Sequence, residues 1–136
     1  MNANLPQQWL DKATEDLTVA QLLFQERHFA HVCFLSQQCI EKALKAYLIA
    51  KLNEYPRIHN LTDLLNRCVS IEPGFSQFAT DCARVDQYYI PTRYPVGVPG
   101  GLSSGQPSPS QAEAAIDAAE YILQYVINQL DLSARD

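Results

Sequence analysis

The chain has 136 residues, of which 47% are hydrophobic and 18% charged, and its formal net charge is −5. That length fits a single domain over residues 1–136, able to bury roughly two thirds of its unfolded surface. The composition argues against disorder, and no apolar run approaches the ~18 residues of a membrane span. The acidic balance also argues against a general nucleic-acid coat, which relies on Lys and Arg neutralising phosphates, but leaves room for a local basic pocket.

The first stretch, "MNANLPQQWLDKATED", has no basic leader followed by an apolar segment, so a cytoplasmic protein is expected. From Pro6 to about Glu26, Leu10, Ala13, Leu17, Ala20 and Phe24 recur at steps of three and four, which predicts an amphipathic helix. Pro6 suits its first turn. Arg27 and His28 fall at its end, where a cation favours the helix dipole.

A second helix is predicted over Phe29–Lys51, with Cys33, Ile40, Leu44, Tyr47 and Leu48 on one face and Pro56 barring its continuation. Asn60 is a candidate N-cap for a third, short helix over "LTDLLNRCV", which "EPG" at 72–74 ends. A weaker helical stretch covers Phe75 to about Gln87. "DQYYIPTRYP" follows, and then "VGVPGGLSSGQPSPS", a long loop by its Gly, Pro and Ser content. Ser110 and Glu113 form an S-x-x-E capping box for a last helix reaching about Leu132, with Ala114, Ala118, Tyr121, Ile122 and Tyr125 inward. The predicted fold class is all-α, an up-and-down antiparallel bundle of four to five helices with a long Gly/Pro/Ser loop before the last.

Three places carry chemistry. Glu41 and Lys45 stand four apart on helix two, in the order that favours an ion pair, with Lys42 about 100° round the helix. The pair reads either as a solvated face or as a charged pocket in which Lys45 binds an anion. His59, in "PRIHNL", is a candidate acid, base or hydrogen-bond donor, or else simply closes a helix end. Arg93 lies between prolines and tyrosines, a setting suited to phosphate recognition with Tyr89 and Tyr94 stacking on a base. A structural plug over the bundle's end is the other reading of that segment. The four cysteines have no CxxC pair and read as buried apolar residues. His28, His31 and Cys33 lack a fourth ligand at sensible spacing. No metal or cofactor is expected.

"FLSQQCIEKALKAYL", then "RIHNL", then "YYIPTRYP" and an Ala-rich last helix together resemble the HEPN domain, the higher-eukaryote and prokaryote nucleotide-binding family. The resemblance runs over nearly the whole chain. It implies a helical bundle that usually dimerises, and a pairing with a minimal nucleotidyltransferase protein, often as a toxin–antitoxin module. Many members are metal-independent ribonucleases marked by an arginine, four to six residues, then a histidine. No arginine of this chain meets a histidine at that spacing, and Arg27 to His31 is one residue short. The resemblance is therefore to the nucleotide-binding, partner type. It implies a nucleotide or RNA ligand, with Lys42, Lys45 and Arg93 at phosphate, Tyr89 and Tyr94 stacking, and Glu41 and His59 holding the pocket. A ribonuclease toxin with an unconventional His59/Arg93 catalytic site, and a non-enzymatic dimeric adaptor, stand as alternatives.

Overall fold

The computed structural model describes residues 4–88 and 107–135, with side chains as far as 131. Its helices are α1 (Leu5–Gln25), α2 (Phe29–Leu52), α3 (Leu61–Ile71), α4 (Ala79–Asp86) and α5 (Pro109–Arg135), with a 3-10 segment over Pro73–Phe78. They form an all-α up-and-down antiparallel bundle. The expected Tyr89, Arg93 and Tyr94 contacts, and most of the Gly/Pro/Ser loop, lie outside the described residues.

In α1, Leu10, Ala13 and Ala20 are buried, and Leu17 and Phe24 pack partly buried against the core. The helix ends at Gln25, within a residue of the expected Glu26, and a left-handed turn closes it. Arg27 takes the left-handed turn position, φ 64°, and its N–H bonds Phe24 O while His28 N–H bonds Leu23 O, each at 3.0 Å. This pair of bonds closes the last turn and reverses the chain into α2. The Arg27 guanidinium lies 5.2 Å from the centre of the Phe29 ring.

α2 departs most from the sequence pattern. The expected single inner face gives way to unbroken burial from Ala43 to Ile49, because α1, α3, α4 and α5 all pack on this helix. A helix covered on every side must bury whatever its sequence holds, Lys45 included. It ends at Asn53, whose left-handed φ of 53° and N–H to Ile49 O (2.9 Å) terminate it before Pro56 is reached.

Asn60 caps α3 as expected, its side-chain oxygen accepting from Asp63 N–H at 2.7 Å. After α3, the predicted helix from Phe75 begins instead as the 3-10 segment. Pro73 lies in its first turn, and Glu72 accepts from Gly74 N–H at 3.0 Å. Side chains three apart eclipse in this tighter helix, which turns Phe75 and Phe78 inward together. Phe75 meets Tyr47 of α2 and Tyr125 of α5 edge-on, at 4.7 and 4.8 Å between ring centres, and Phe78 meets Tyr125 at 5.2 Å. Such contacts add about 0.5–1.5 kcal/mol each beyond area burial.

The last helix starts two residues earlier than expected. Ser108 Oγ accepts from Gln111 N–H (3.1 Å) and Gln111 Oε1 accepts from Ser108 N–H (2.8 Å), a reciprocal box with Pro109 as the first helical residue. The Ser110–Glu113 box is thus replaced by Ser108–Gln111. Of the expected inner face, Ala118 and Ile122 are buried and Tyr125 packs half-buried against the core. Ala112, Ala115, Ala119, Ile122 and Val126 are buried, whereas Tyr121, expected inside, is 68% exposed.

Candidate functional site

Gln37, Glu41 and Lys45 climb α2 in steps of four and therefore share one face. Gln37 Nε2 donates to Glu41 Oε1 at 3.3 Å, and Lys45 Nζ donates to Glu41 Oε2 at 3.1 Å. Lys45 is only 1% exposed and Glu41 8%, so the solvated-face reading is set aside. The Lys45 ammonium sits behind two rings, 5.8 Å from the centre of Trp9 on α1 and 5.3 Å from that of Tyr55 in the α2–α3 connection. The rings themselves are 5.6 Å apart and tilted by 48°. Burying an ion pair is costly unless every donor finds a partner. Here the carboxylate, an imidazole nitrogen and the electron-rich ring faces supply them.

The imidazole is that of His59, whose Nδ1 lies 3.4 Å from Lys45 Nζ and 3.5 Å from Glu41 Oε2. Its backbone carbonyl accepts from Gln37 Nε2 at 3.5 Å. His59 is thereby tied at both ends to α2 while its side chain remains 71% exposed. Glu41, Lys45 and His59 come together. Lys42 does not join them: it turns into the α1–α2 seam, 2.7 Å from Asp16 Oδ2, with its side chain 25% exposed. Beside Trp9 runs a surface groove of about 430 Å³, lined by Leu5, Gln8, Lys12 and Lys42.

The sequence reading missed Trp9, Gln37, Tyr55 and Asp86. Gln37 carried a legible signal, four residues before Glu41. Asp86 opens the "DQYYIPTRYP" stretch, and its carboxylate accepts from Leu61 N–H (2.8 Å), Thr62 N–H (3.0 Å) and Thr62 Oγ1 (3.1 Å). An acidic group at the start of α3 is favoured by the unpaired N–H groups and the helix dipole. The last residues of α4 are thus fastened two positions beyond His59. Tyr88, two residues further on, is buried, which pushes its hydroxyl pKa up.

Burial also pushes the thiols of Cys33, Cys39, Cys68 and Cys82 up to about 12, which denies them the thiolate form a nucleophile needs. Among the described residues no group of three or more His, Cys, Asp or Glu could hold a metal ion, and no helix is long and apolar enough to cross a membrane.

The described elements define a class: an α-helical bundle whose central helix carries a buried acid–base pair linked to an exposed histidine. The model of the HEPN domain matches residues 6–130, and the chain belongs to that family. The crystal structure of TT1696 from Thermus thermophilus is similar over 92% of this chain and 98% of that one, with a TM-score of 0.78 and 32% identity. ST0689, described as an archaeal HEPN homologue, is similar over 91% and 96%, with a TM-score of 0.73 and 30% identity. A curated protein of Methanocaldococcus jannaschii named "Putative toxin MJ1304" is 46% identical over 41 residues. That match spans 30% of this chain and 27% of the toxin's own length.

Proposed function

We propose that this protein is a nucleotide- or RNA-binding HEPN component of a module paired with a minimal nucleotidyltransferase, toxin–antitoxin in kind, acting as a dimer without the standard HEPN ribonuclease chemistry. The observation that carries the reading is His59, exposed to solvent yet held from behind by the buried Glu41–Lys45 pair. A surface imidazole immobilised in this way can meet a phosphate without losing side-chain freedom at that moment. Lys45 lies behind His59 and acts through it, whereas Lys42 is engaged by Asp16 and contributes local charge. Arg93 would supply the principal phosphate contact and Tyr89 and Tyr94 the stacking surfaces. Tyr89 directly follows the buried Tyr88, and Arg93 stands five residues beyond Tyr88, a reach of at most about 18 Å of extended chain.

Thermal unfolding with and without AMP or a short oligoribonucleotide tests this. A ligand at about 100 times its Kd adds ~2.7 kcal/mol to the wild type. Arg93→Ala and His59→Ala should unfold at the temperature of the unliganded wild type and lose the ligand-induced rise. Unchanged binding in both folded variants would defeat the reading.

One observation favours a second reading. The partial match to a toxin suits a metal-independent ribonuclease with an unconventional His59/Arg93 centre. Its mark is RNA cleavage without added metal that disappears in His59→Ala. Co-purification with a minimal nucleotidyltransferase, and sedimentation of the chain alone, test the partner and the dimer.

A further inference from the structure

An ammonium group has three N–H donors and no acceptor, and a carboxylate only accepts. This asymmetry limits how the buried cluster can be wired. Lys45 Nζ donates to Glu41 Oε2 at 3.1 Å and faces His59 Nδ1 at 3.4 Å, with its remaining flank against the Trp9 and Tyr55 rings. A neutral imidazole can meet that ammonium only with the Nδ1 lone pair, which leaves its proton on Nε2. When the ring is protonated, the new Nδ1–H has Glu41 Oε2 at 3.5 Å to accept it, and Nε2 keeps its proton. With the ring wired to the ammonium in this way, Nε2 is a donor in both charge states. Nδ1 is the nitrogen that meets the cluster, which puts Nε2 on the other edge of the ring, on a side chain that is 71% exposed. The groups facing the ring are Glu41 and Lys45 from α2, while Gln37 fixes its backbone carbonyl.

We propose that Lys45 is a positioning residue that locks His59 in its Nε2–H tautomer, so that His59 offers a phosphate oxygen a permanent hydrogen-bond donor and offers a ribose hydroxyl no base. The proposal rests on the phosphate-binding reading and narrows it to a phosphate group that is bound without being cleaved by His59. General-base attack by a 2′-hydroxyl needs an imidazole lone pair on the outward side, and the Lys45 ammonium turns that lone pair inward. Removing Lys45 while keeping Glu41 inverts the wiring. The carboxylate then takes an Nδ1–H, and the lone pair moves to the exposed Nε2.

Long-range ¹H–¹⁵N correlation spectra of the side chain, recorded at pH 8 on the intact protein, read the tautomer directly. The wild type should show a protonated-type Nε2 and an unprotonated-type Nδ1, and Lys45→Met should show the reverse. Lys45→Met leaves a buried carboxylate unpaired, so Glu41→Gln/Lys45→Met serves as a second variant. It should lose the tautomer preference while staying folded. An unprotonated Nε2 in the wild type would overturn the wiring whether or not either variant folds.

Titration with AMP and, separately, with a short oligoribonucleotide then tests the donor role and distinguishes a phosphomonoester from a phosphodiester. Binding of one of them should move the His59 Nε2 signal. His59→Ala should weaken that binding about tenfold to a hundredfold, the range for loss of a hydrogen bond to a charged group, and His59→Gln, which keeps an N–H donor, should recover most of it. The tautomer needs no ligand. An Nε2–H signal that neither probe moves would overturn the donor role and the phosphate-binding reading while leaving the wiring intact.

Discussion

Replacing Glu41 by leucine would strand the Lys45 ammonium between Trp9 and Tyr55 with no counter-charge. At 3.1 Å and an effective dielectric constant of 20, the lost attraction is about 5 kcal/mol. Burial of the leucine side chain offsets part of it. Removing one partner of a buried pair costs about 3–5 kcal/mol. With both groups nearly inaccessible, solvent screening takes little from that figure. Against a total stability of about 5–15 kcal/mol, this is a large share. For an unfolding slope of about 2 kcal/mol/M, the urea midpoint should fall by about 2 M. In Glu41→Leu/Lys45→Met the charge is no longer left alone, and apolar replacements of similar size fill the space. The double variant should return to within about 1 kcal/mol of wild type. Urea denaturation of the wild type, the two single variants and the double variant closes the cycle, with an interaction energy of at least about 2 kcal/mol expected. A Glu41→Leu loss below about 1 kcal/mol, or simple additivity, would refute the view that this pair is buried and mutually dependent.

Stability should fall at alkaline pH. The four thiols and Tyr47 hold their protons to about pH 12 in the folded chain and release them earlier when unfolded, so their contribution is complete below pH 9 and is lost as pH rises toward 12. Each group contributes a slope of up to about 1.4 kcal/mol per pH unit. Denaturant midpoints under reducing conditions should therefore drop steeply above pH 9, and a flat profile to pH 11 would contradict the burial of these groups. Gly74→Ala should cost about 1–3 kcal/mol, because a β-carbon there meets the hydroxyl of Tyr125, whose ring is confined by Phe75 and Phe78. The same substitution in a Tyr125→Phe background should cost clearly less, as thermal unfolding can show. Asp86→Ala should cost about 1–2 kcal/mol through the Leu61 and Thr62 N–H groups it leaves unpaired, while Asn60 still caps Asp63, with amide exchange quickening first at Leu61 and Thr62. Uniform quickening along the whole chain would argue against a local cap.

Helix existence was legible because it rests on local signals. Pro6 in a first turn, the Asn60 cap and the apolar spacing of α1 each act within a few residues of where they stand. The inner face of α5 was legible only in part, at Ala118, Ile122 and Tyr125, since alanine costs little on either side of a helix and the stretch 112–119 holds five alanines. Tyr121 fits a core or a surface equally well by composition, so its side of the helix was chosen by tertiary contacts alone. Two overlapping capping boxes competed there, and Pro109 decided between them. It can open a helix, whereas a Ser110 cap would have left it outside. At the site, the spacing of Glu41 and Lys45 was visible, but their burial was not. Burial depends on Trp9, thirty-six positions before Lys45, and on the connection carrying Tyr55 and His59. No window along one helix contains that information.

The position of this ion pair bears on why it is there. Hydrophobic side chains of similar size would stabilise the centre of α2 at least as well, so stability alone does not account for a lysine at a fully covered position. What an apolar residue could not do is hold a polar group outside the core. Gln37, Glu41 and Lys45 each reach the segment around His59, two through the ring and one through the carbonyl. Asp86 grips the same segment from the other side through Leu61 and Thr62. An exposed histidine ordinarily samples several rotamers, and each one frozen on binding subtracts from affinity. In this bundle the freezing is done during folding by groups the solvent does not reach. The Tyr- and Arg-bearing stretch from Tyr88 to Tyr94 begins two residues after Asp86 in the sequence. On the proposed reading, rigidity generated in α2 is delivered to one surface point, where an incoming anion would meet His59 already oriented.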